Sequence, residues 1–164
     1  MTGRLQALMI ANAGLVLLLG MLMGLPFVFH LIGEISLWPL PFTIAYQIPG
    51  TERGWRAAHV GNILNGTMLL AVAAVFPRLS LAPTPRKVLA WTLIVTVWGN
   101  AVFYVTALLT TGRSLTFGAN RFGGGDWFNS IGYLAALTAV GAVFVALFLI
   151  VRGAFAAARA PSTD

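Results

Sequence analysis

Four long apolar stretches constrain the fold of this chain more than any other feature of its sequence. The first runs from about residue 5 to residue 32, with no Asp, Glu, Lys or Arg between Arg4 and Glu34. The others run from about 57 to 76, 88 to 110 and 128 to 151. A helix of about 20 apolar residues crosses the hydrocarbon layer of a bilayer. The pattern therefore predicts an all-α integral membrane protein, a bundle of four transmembrane helices in one membrane domain covering residues 1–164.

Charged residues are too few for a soluble domain of this length. They make up 9% of the 164 residues, whereas soluble domains average about 25%. The net charge of +6 comes from basic residues scattered at the ends of the apolar stretches. Such residues anchor membrane helices, so we expect a lipid bilayer and no nucleic acid as partner. The chain contains no cysteine, which excludes disulfides, thiolate catalysis and cysteine-ligated metal centres.

The even number of spans predicts that both termini lie on one side of the membrane. Six Lys or Arg residues then lie on that side and four on the other. Because basic residues concentrate in cytoplasmic segments, this bias favours cytoplasmic termini. The six are Arg4, Arg78, Arg86, Lys87, Arg152 and Arg159, and the four are Arg53, Arg56, Arg113 and Arg121.

Polar side chains cluster early in the second apolar stretch, where His59, Asn62 and Asn65 follow one another at spacings of three. Polar groups are costly at membrane depth and usually face protein, water or a ligand. At 100° per residue, Asn62 lies near the face of His59 and Asn65 rotates away from it. His59 by itself allows three interpretations, namely interhelical hydrogen bonding, proton relay and axial ligation of haem iron. Haem needs only one or two protein ligands, and without a Cys-x-x-Cys-His motif it would be non-covalent.

Two more polar residues, Asn100 and Tyr104, lie inside the third stretch and share a helix face because they are four residues apart. Either one alone favours ordinary interhelical hydrogen bonding. Together with His59 and Asn65 they favour a polar pocket inside the bundle. The remaining histidine, His30, lies near the end of the first stretch and is better interpreted as an interfacial residue than as a ligand.

The loops add less specific signals. Residues 33–53 are rich in proline and aromatic residues, which indicates an extended interfacial connection that either covers a site or packs against the bundle. Residues 118–126 contain four glycines, which favour tight turns over phosphate binding. Arg113 and Arg121 would pair either with Asp126 or with anionic groups such as haem propionates. Residues 152–164 are expected to be a frayed tail.

Taken in order, a set of motifs extends from about residue 49 to residue 126. It comprises Gly54-Trp55, Ala58-His59, Leu64-Asn65-Gly66, Trp98, Asn100, Phe103-Tyr104, Leu115-Thr-Phe-Gly118, Asn120, Phe122-Gly123 and Gly125-Asp126. This set resembles the styrene oxide isomerases, a family of small integral membrane enzymes. The glycine-rich loop departs from the family pattern at Ala119, Arg121 and Gly124, which bears on the path of the loop and on substrate preference.

The resemblance implies a homotrimer with haem b near the subunit interfaces and His59 as the axial ligand. We also expect a ferric haem and a bacterial-type inner membrane. It implies isomerisation of an aryl epoxide to an aldehyde, styrene oxide to phenylacetaldehyde. The hypothesis for the mechanism is Lewis-acid opening of the epoxide by the haem iron, followed by a 1,2-hydride shift. Tyr104, Asn100 and Asn65 would orient the epoxide or donate hydrogen bonds to its oxygen.

Two alternatives remain open at this point. A haem-binding membrane electron-transfer subunit would use two axial ligands, and His30 is the only other histidine. A structural or transport protein would bind no cofactor.

Overall fold

The computed structural model describes residues 2–159, and within them four helices are long and apolar enough to cross a membrane. They are α1 (Thr2–Ile32), α2 (Glu52–Val75), α3 (Pro83–Leu109) and α4 (Trp127–Ala158), with a 3₁₀ turn at Phe76–Arg78 after α2. This confirms the predicted all-α, four-helix membrane architecture. The connection between α1 and α2 contains a small antiparallel hairpin, β1 (Glu34–Ser36) and β2 (Thr43–Ala45), in which Ile35 pairs with Ile44.

The helices extend beyond the apolar stretches that predicted them. Helix α2 begins at Glu52 rather than near residue 57, because Thr51 caps it by accepting a hydrogen bond from the Gly54 amide at 3.1 Å. Helix α3 begins at Pro83 rather than near residue 88, since proline suits a first helical turn that has no partner for its N–H. Hydropathy marks the part of a helix that crosses the bilayer, whereas capping residues decide where the helix begins.

The tail was predicted to be frayed from residue 152, and this is wrong for its first part because α4 continues to Ala158. The rest of that prediction, from residue 160 onward, falls outside the described residues.

Helices α2 and α3 form the centre of the bundle, with α1 packed mainly on α2 and α4 mainly on α3. We compared the most apolar 18-residue stretch of each helix. The buried share of its residues is 33% in α2 and 39% in α3, but only 17% in α1 and in α4. Gly66 of α2 lies directly against α1, where an added Cβ would be 3.0 Å from the Ala13 carbonyl oxygen. Small residues of this kind let membrane helices approach closely. Two central helices with covered faces are therefore available to hold polar side chains away from lipid.

Candidate active site

His59 lies on the side of α2 that faces α1. Its Nδ1 is 2.8 Å from the Gly20 carbonyl oxygen. Because a carbonyl only accepts hydrogen bonds, Nδ1 carries the proton and the lone pair of the neutral ring is on Nε2. The ring packs onto Gly24, where an added Cβ would be 2.8 Å from its Cε1 atom, so any larger residue would displace it. The side chain of His59 is half-buried.

This geometry suits an imidazole that binds a metal through Nε2. Metal-binding histidines generally donate their other ring N–H to a carbonyl or carboxylate, which orients the ring and selects the tautomer. Within residues 2–159, no group of three or more His, Asp or Glu side chains comes together to hold a bare metal ion. Haem iron needs no such group, since the porphyrin supplies the other donors. His59 therefore fits an axial haem ligand better than a member of a zinc-type site.

A second polar group lies between α2 and α3, where Asn65, Asn100 and Tyr104 form one network. The Asn65 Nδ2 donates to the Gly61 carbonyl at 2.8 Å, which leaves Oδ1 to accept from Asn100 Nδ2 at 2.9 Å. The Tyr104 oxygen accepts a long bond of 3.4 Å from Asn65 Nδ2. The amide orientation is thus set by its neighbours, and the Tyr104 hydroxyl proton stays free to donate to another group.

Gly61 brings the Tyr104 ring onto the backbone of α2. A Cβ at Gly61 would be 2.6 Å from the ring, closer than carbon atoms can approach. The close contact places Tyr104 beside Asn65 and limits how far the ring can move. Spacing on α3 had predicted that Asn100 and Tyr104 share a face, and the structure adds Asn65 of α2 as their partner.

His59 does not join this network within one copy of the chain. It faces α1, whereas Asn65 faces α3, in keeping with the rotation of about 120° that six helical residues produce. Asn62 is fully buried; its Nδ2 donates to the Ala58 carbonyl at 2.7 Å, and its Oδ1 has no partner among the described residues. Of the four residues expected to share a pocket, the structure thus brings three together.

His30 anchors the connection between α1 and α2. Its Nδ1 is 2.8 Å from the Ile48 carbonyl oxygen, and its ring centroid lies 6.3 Å from that of Trp55. Gln47 donates to the His30 carbonyl at 3.0 Å. His59 has different neighbours, with its ring centroid 6.3 Å from that of Phe27. The two histidines therefore take part in separate groups of contacts.

Tyr104 also borders a cavity of about 310 Å³, which we call the arginine cavity. It lies between the start of α2, the end of α3 and the loop that leads to α4. Besides Tyr104, its lining includes three arginines and the aromatic residues Phe103 and Phe122. Its lining comprises Thr51, Arg53, Gly54, Ala57, Phe103, Tyr104, Ala107, Arg113, Leu115, Arg121 and Phe122.

Asp126, one of the two predicted partners of the loop arginines Arg113 and Arg121, is ruled out. Asp126 caps α4 by accepting from the Asn129 amide at 2.7 Å, and the ion pair within residues 2–159 joins Glu52 and Arg56 instead. Both loop arginines contact an aromatic ring: the Cζ atoms of Arg113 and Arg121 lie 4.0 and 4.6 Å from the centroid of Phe122. The pairing of Arg113 or Arg121 with Asp126 is therefore wrong.

Asn129, which the sequence analysis did not single out, holds the loop in place. It is fully buried, and its Oδ1 accepts from the Ser114 amide at 2.7 Å. Its Nδ2 donates to the Thr116 carbonyl. An asparagine just inside a helix that is already capped by Asp126 is the signal that identifies it, because a second capping-type residue there has no helix end to satisfy.

Replacing Asn129 with alanine is expected to destabilise the protein by about 1–3 kcal/mol, since the Ser114 amide would remain buried without a partner. Thermal unfolding in detergent measures this. Thr138→Ala is the matched control, because Thr138 is exposed on the same helix and bonds only the Leu134 carbonyl of its own turn. Equal melting temperatures for the two variants would contradict the role of Asn129.

The fold and the site together define a multi-pass membrane protein whose two central helices hold a partly buried polar network. Comparison with known proteins assigns it further: residues 5–155 match the family model described as styrene oxide isomerase. A curated protein of Pseudomonas fluorescens named styrene-oxide isomerase is 36% identical over 129 residues, which cover 76% of each chain. The chain belongs to the styrene oxide isomerase family and is an isomerase, as its motifs indicated.

Proposed function

We propose that this chain converts styrene oxide and related aryl epoxides to aldehydes, with haem b bound through His59. The observation that carries the reaction is the network of Asn65, Asn100 and Tyr104, which leaves one phenol proton free beside a cavity. The name of the relative from Pseudomonas fluorescens supports the choice of substrate. The fixed Nδ1–H of His59 and its available Nε2 support the cofactor.

In the reaction, the benzylic C–O bond of the epoxide breaks, a hydride moves from the neighbouring carbon, and that carbon becomes the carbonyl. Ferric haem, when bound, supplies a Lewis acid for the epoxide oxygen. The Tyr104 hydroxyl donates a hydrogen bond to that oxygen and holds it in position. Asn65 fixes the position of the Tyr104 oxygen, and Asn100 holds the Asn65 amide in turn.

Water must be kept from the substrate, because the developing benzylic cation would otherwise form a diol. The apolar part of the arginine cavity wall beside Tyr104 would keep water from that side of the substrate, and it comprises Ala57, Phe103, Ala107 and Leu115. The aromatic ring of the substrate would also pack against Phe103, which itself contacts Tyr104 with ring centroids 5.5 Å apart.

A homotrimer would reconcile the two separate halves of the site. A haem on His59 would lie on the α1 side of α2, whereas the network of Asn65, Asn100 and Tyr104 lies on the α3 side. We propose that the network of one copy faces the haem of the neighbouring copy. The poorly buried α1 and α4 leave large apolar faces available for this contact or for lipid.

We also propose that both termini face the cytoplasm and that the membrane is a bacterial inner membrane. The structure joins the ends that carry six of the basic residues: Arg86 donates to the Thr2 hydroxyl at 2.8 Å, and the Ser80 amide donates to the Gly153 carbonyl at 3.2 Å. Basic residues gathered at one end of a bundle favour the cytoplasmic side. The orientation would be tested with the single-cysteine variants Arg4→Cys and Arg113→Cys, by measuring which thiol is accessible from outside whole cells.

The function is tested by recording the absorption spectrum of purified protein and then adding styrene oxide. We expect a Soret band of ferric haem with one protein ligand, and phenylacetaldehyde as product. A haem-loaded protein with a low-spin, two-histidine spectrum and no aldehyde would instead support an electron-transfer subunit. If the protein purified from haem-replete cells shows no Soret band, that result would support a structural or transport role.

The shared site is tested with mixed trimers that contain His59→Ala and Tyr104→Phe copies, each with its own affinity tag. Haem would bind only to the Tyr104→Phe copies, which retain His59. If the site is shared, some of these haems face an intact Tyr104 of a neighbour, so turnover per haem rises above that of the Tyr104→Phe homotrimer. Equal turnover per haem would show that one copy forms the whole site.

A further inference from the structure

Three arginines line the arginine cavity, and the proposed reaction gives them no role. Arg53, Arg113 and Arg121 all border it. An aryl epoxide and its aldehyde product are both neutral, so neither needs a guanidinium for recognition. Like charges placed around one cavity repel each other, and a bound anion would relieve that repulsion.

Within residues 2–159, the loop arginines have no acidic partner. Asp126 is engaged as the cap of α4, and Glu52 pairs with Arg56 rather than with a cavity arginine. Arg113 and Arg121 share the ring of Phe122 instead, at 4.0 and 4.6 Å from its centroid. These contacts orient both guanidinium groups, and among residues 2–159 neither side chain donates a hydrogen bond to a protein acceptor.

The backbone at Arg113 is held in a conformation that residues other than glycine seldom adopt. The φ angle is 57° at Arg113 and 51° at Ser114, in the left-handed region. Ser114 is fully buried; its amide donates to Asn129 and its hydroxyl to the Thr106 hydroxyl at 3.0 Å. Strain that surrounding contacts maintain is typical of ligand-binding segments. Here the hydrogen bonds of Ser114 hold the strained turn that places Arg113 at the cavity.

Most of the remaining lining is apolar or aromatic, with the hydroxyls of Thr51 and Tyr104 as its polar groups. Phe103, Ala107 and Leu115 border the same space as the arginines. A ligand that matches this surface therefore carries an apolar, flat body and one anionic group. Guanidinium groups bind carboxylates and phosphates alike with two parallel hydrogen bonds, so either anion matches the arginines.

We propose that the arginine cavity binds an arylalkyl carboxylate, with the carboxylate held by Arg113 and Arg121 and the ring packed against Phe103 and Leu115. The choice of an aryl body rests on the proposed function, since two-electron oxidation of an arylacetaldehyde by a dehydrogenase-type reaction yields an arylacetate. A carboxylate of this class occupies the space beside Tyr104 and excludes substrate from it.

The test is ¹⁹F NMR titration of 4-fluorophenylacetate into the purified haem-loaded protein, with 4-fluorophenylacetamide as the uncharged ligand of the same shape. We expect the carboxylate to bind at least about tenfold more tightly than the amide. The double variant Arg113→Gln/Arg121→Gln should lose that difference. Arg78→Gln is the matched control, because Arg78 is exposed at the opposite end of α2 and should leave both affinities unchanged.

Several outcomes would overturn this inference. One is equal binding of acid and amide, and another is an unchanged carboxylate affinity in the double variant. If 4-fluorophenylacetate bound to the haem-free protein but not to the haem-loaded protein, the arginines would be assigned to haem propionates. If phosphatidylglycerol added to the micelle abolished binding of the carboxylate, the arginines would be assigned to lipid phosphate. Because the titration does not depend on turnover, a protein that binds the carboxylate but forms no aldehyde would reject the proposed function and retain the anion site.

Discussion

Replacing His59 with alanine is expected to remove bound haem and abolish isomerisation. The Nε2 atom of His59 carries the ring's lone pair, because Nδ1–H donates to the Gly20 carbonyl, and that hydrogen bond orients the ring. Alanine at this position supplies no ligand. The Soret absorbance per protein and the rate of phenylacetaldehyde formation measure the two effects on one preparation.

His30→Ala is the matched control for this prediction, because His30 bonds the Ile48 carbonyl and packs near Trp55. It should retain haem and most activity. Added imidazole should partly restore the Soret band of His59→Ala, since removal of the ring leaves space beside Gly24. Full haem occupancy and normal turnover in His59→Ala would reject the ligand assignment. Loss of haem in His30→Ala would favour the electron-transfer alternative.

Replacing Tyr104 with phenylalanine is expected to lower turnover by roughly five- to a hundredfold while haem remains bound. The hydroxyl that we propose positions the epoxide oxygen is lost, and such a hydrogen bond is worth about 1–3 kcal/mol, which corresponds to that range of rates. Stability should change little, because among residues 2–159 this hydroxyl takes part in one long hydrogen bond, which it accepts from Asn65 Nδ2 at 3.4 Å.

Tyr133→Phe provides the control, since Tyr133 is half-buried on α4 and packs edge-on against Phe117 at 4.8 Å, away from the network. Its turnover per haem should match the unchanged protein. If Tyr104 serves only to join α2 and α3, Tyr104→Phe would show a lower melting temperature with normal turnover per haem. That result would remove Tyr104 from the active site.

The helices and part of the site could be predicted from sequence because both follow from local rules. The spacing of Asn100 and Tyr104 places them on one face of α3 whatever packs against it. The choice of Asn65 as their partner depends on Gly61, which lets α2 approach the Tyr104 ring. That contact joins residues 43 positions apart, and helical periodicity alone carries no information about it.

The loop between α3 and α4, residues 110–126, shows more strongly that local sequence rules miss contacts between distant residues. Its glycines indicated turns, yet the left-handed residues are Arg113 and Ser114 rather than glycines. Their conformation depends on Asn129, which lies in the next helix and binds the Ser114 amide. A local propensity rule assigns left-handed turns to glycine, so it misses a strained turn that a distant side chain stabilises.

The sequence by itself determined that this is a four-helix membrane protein, because the backbone of an apolar segment of that length can satisfy its hydrogen bonds in a bilayer only as a helix. It also determined which polar residues lie on those helices. Only the tertiary structure decided that His59 faces α1 while Asn65 faces α3. The physical reason is that helix–helix packing depends on close contacts between distant small residues, such as Gly66 against Ala13, which no single segment specifies.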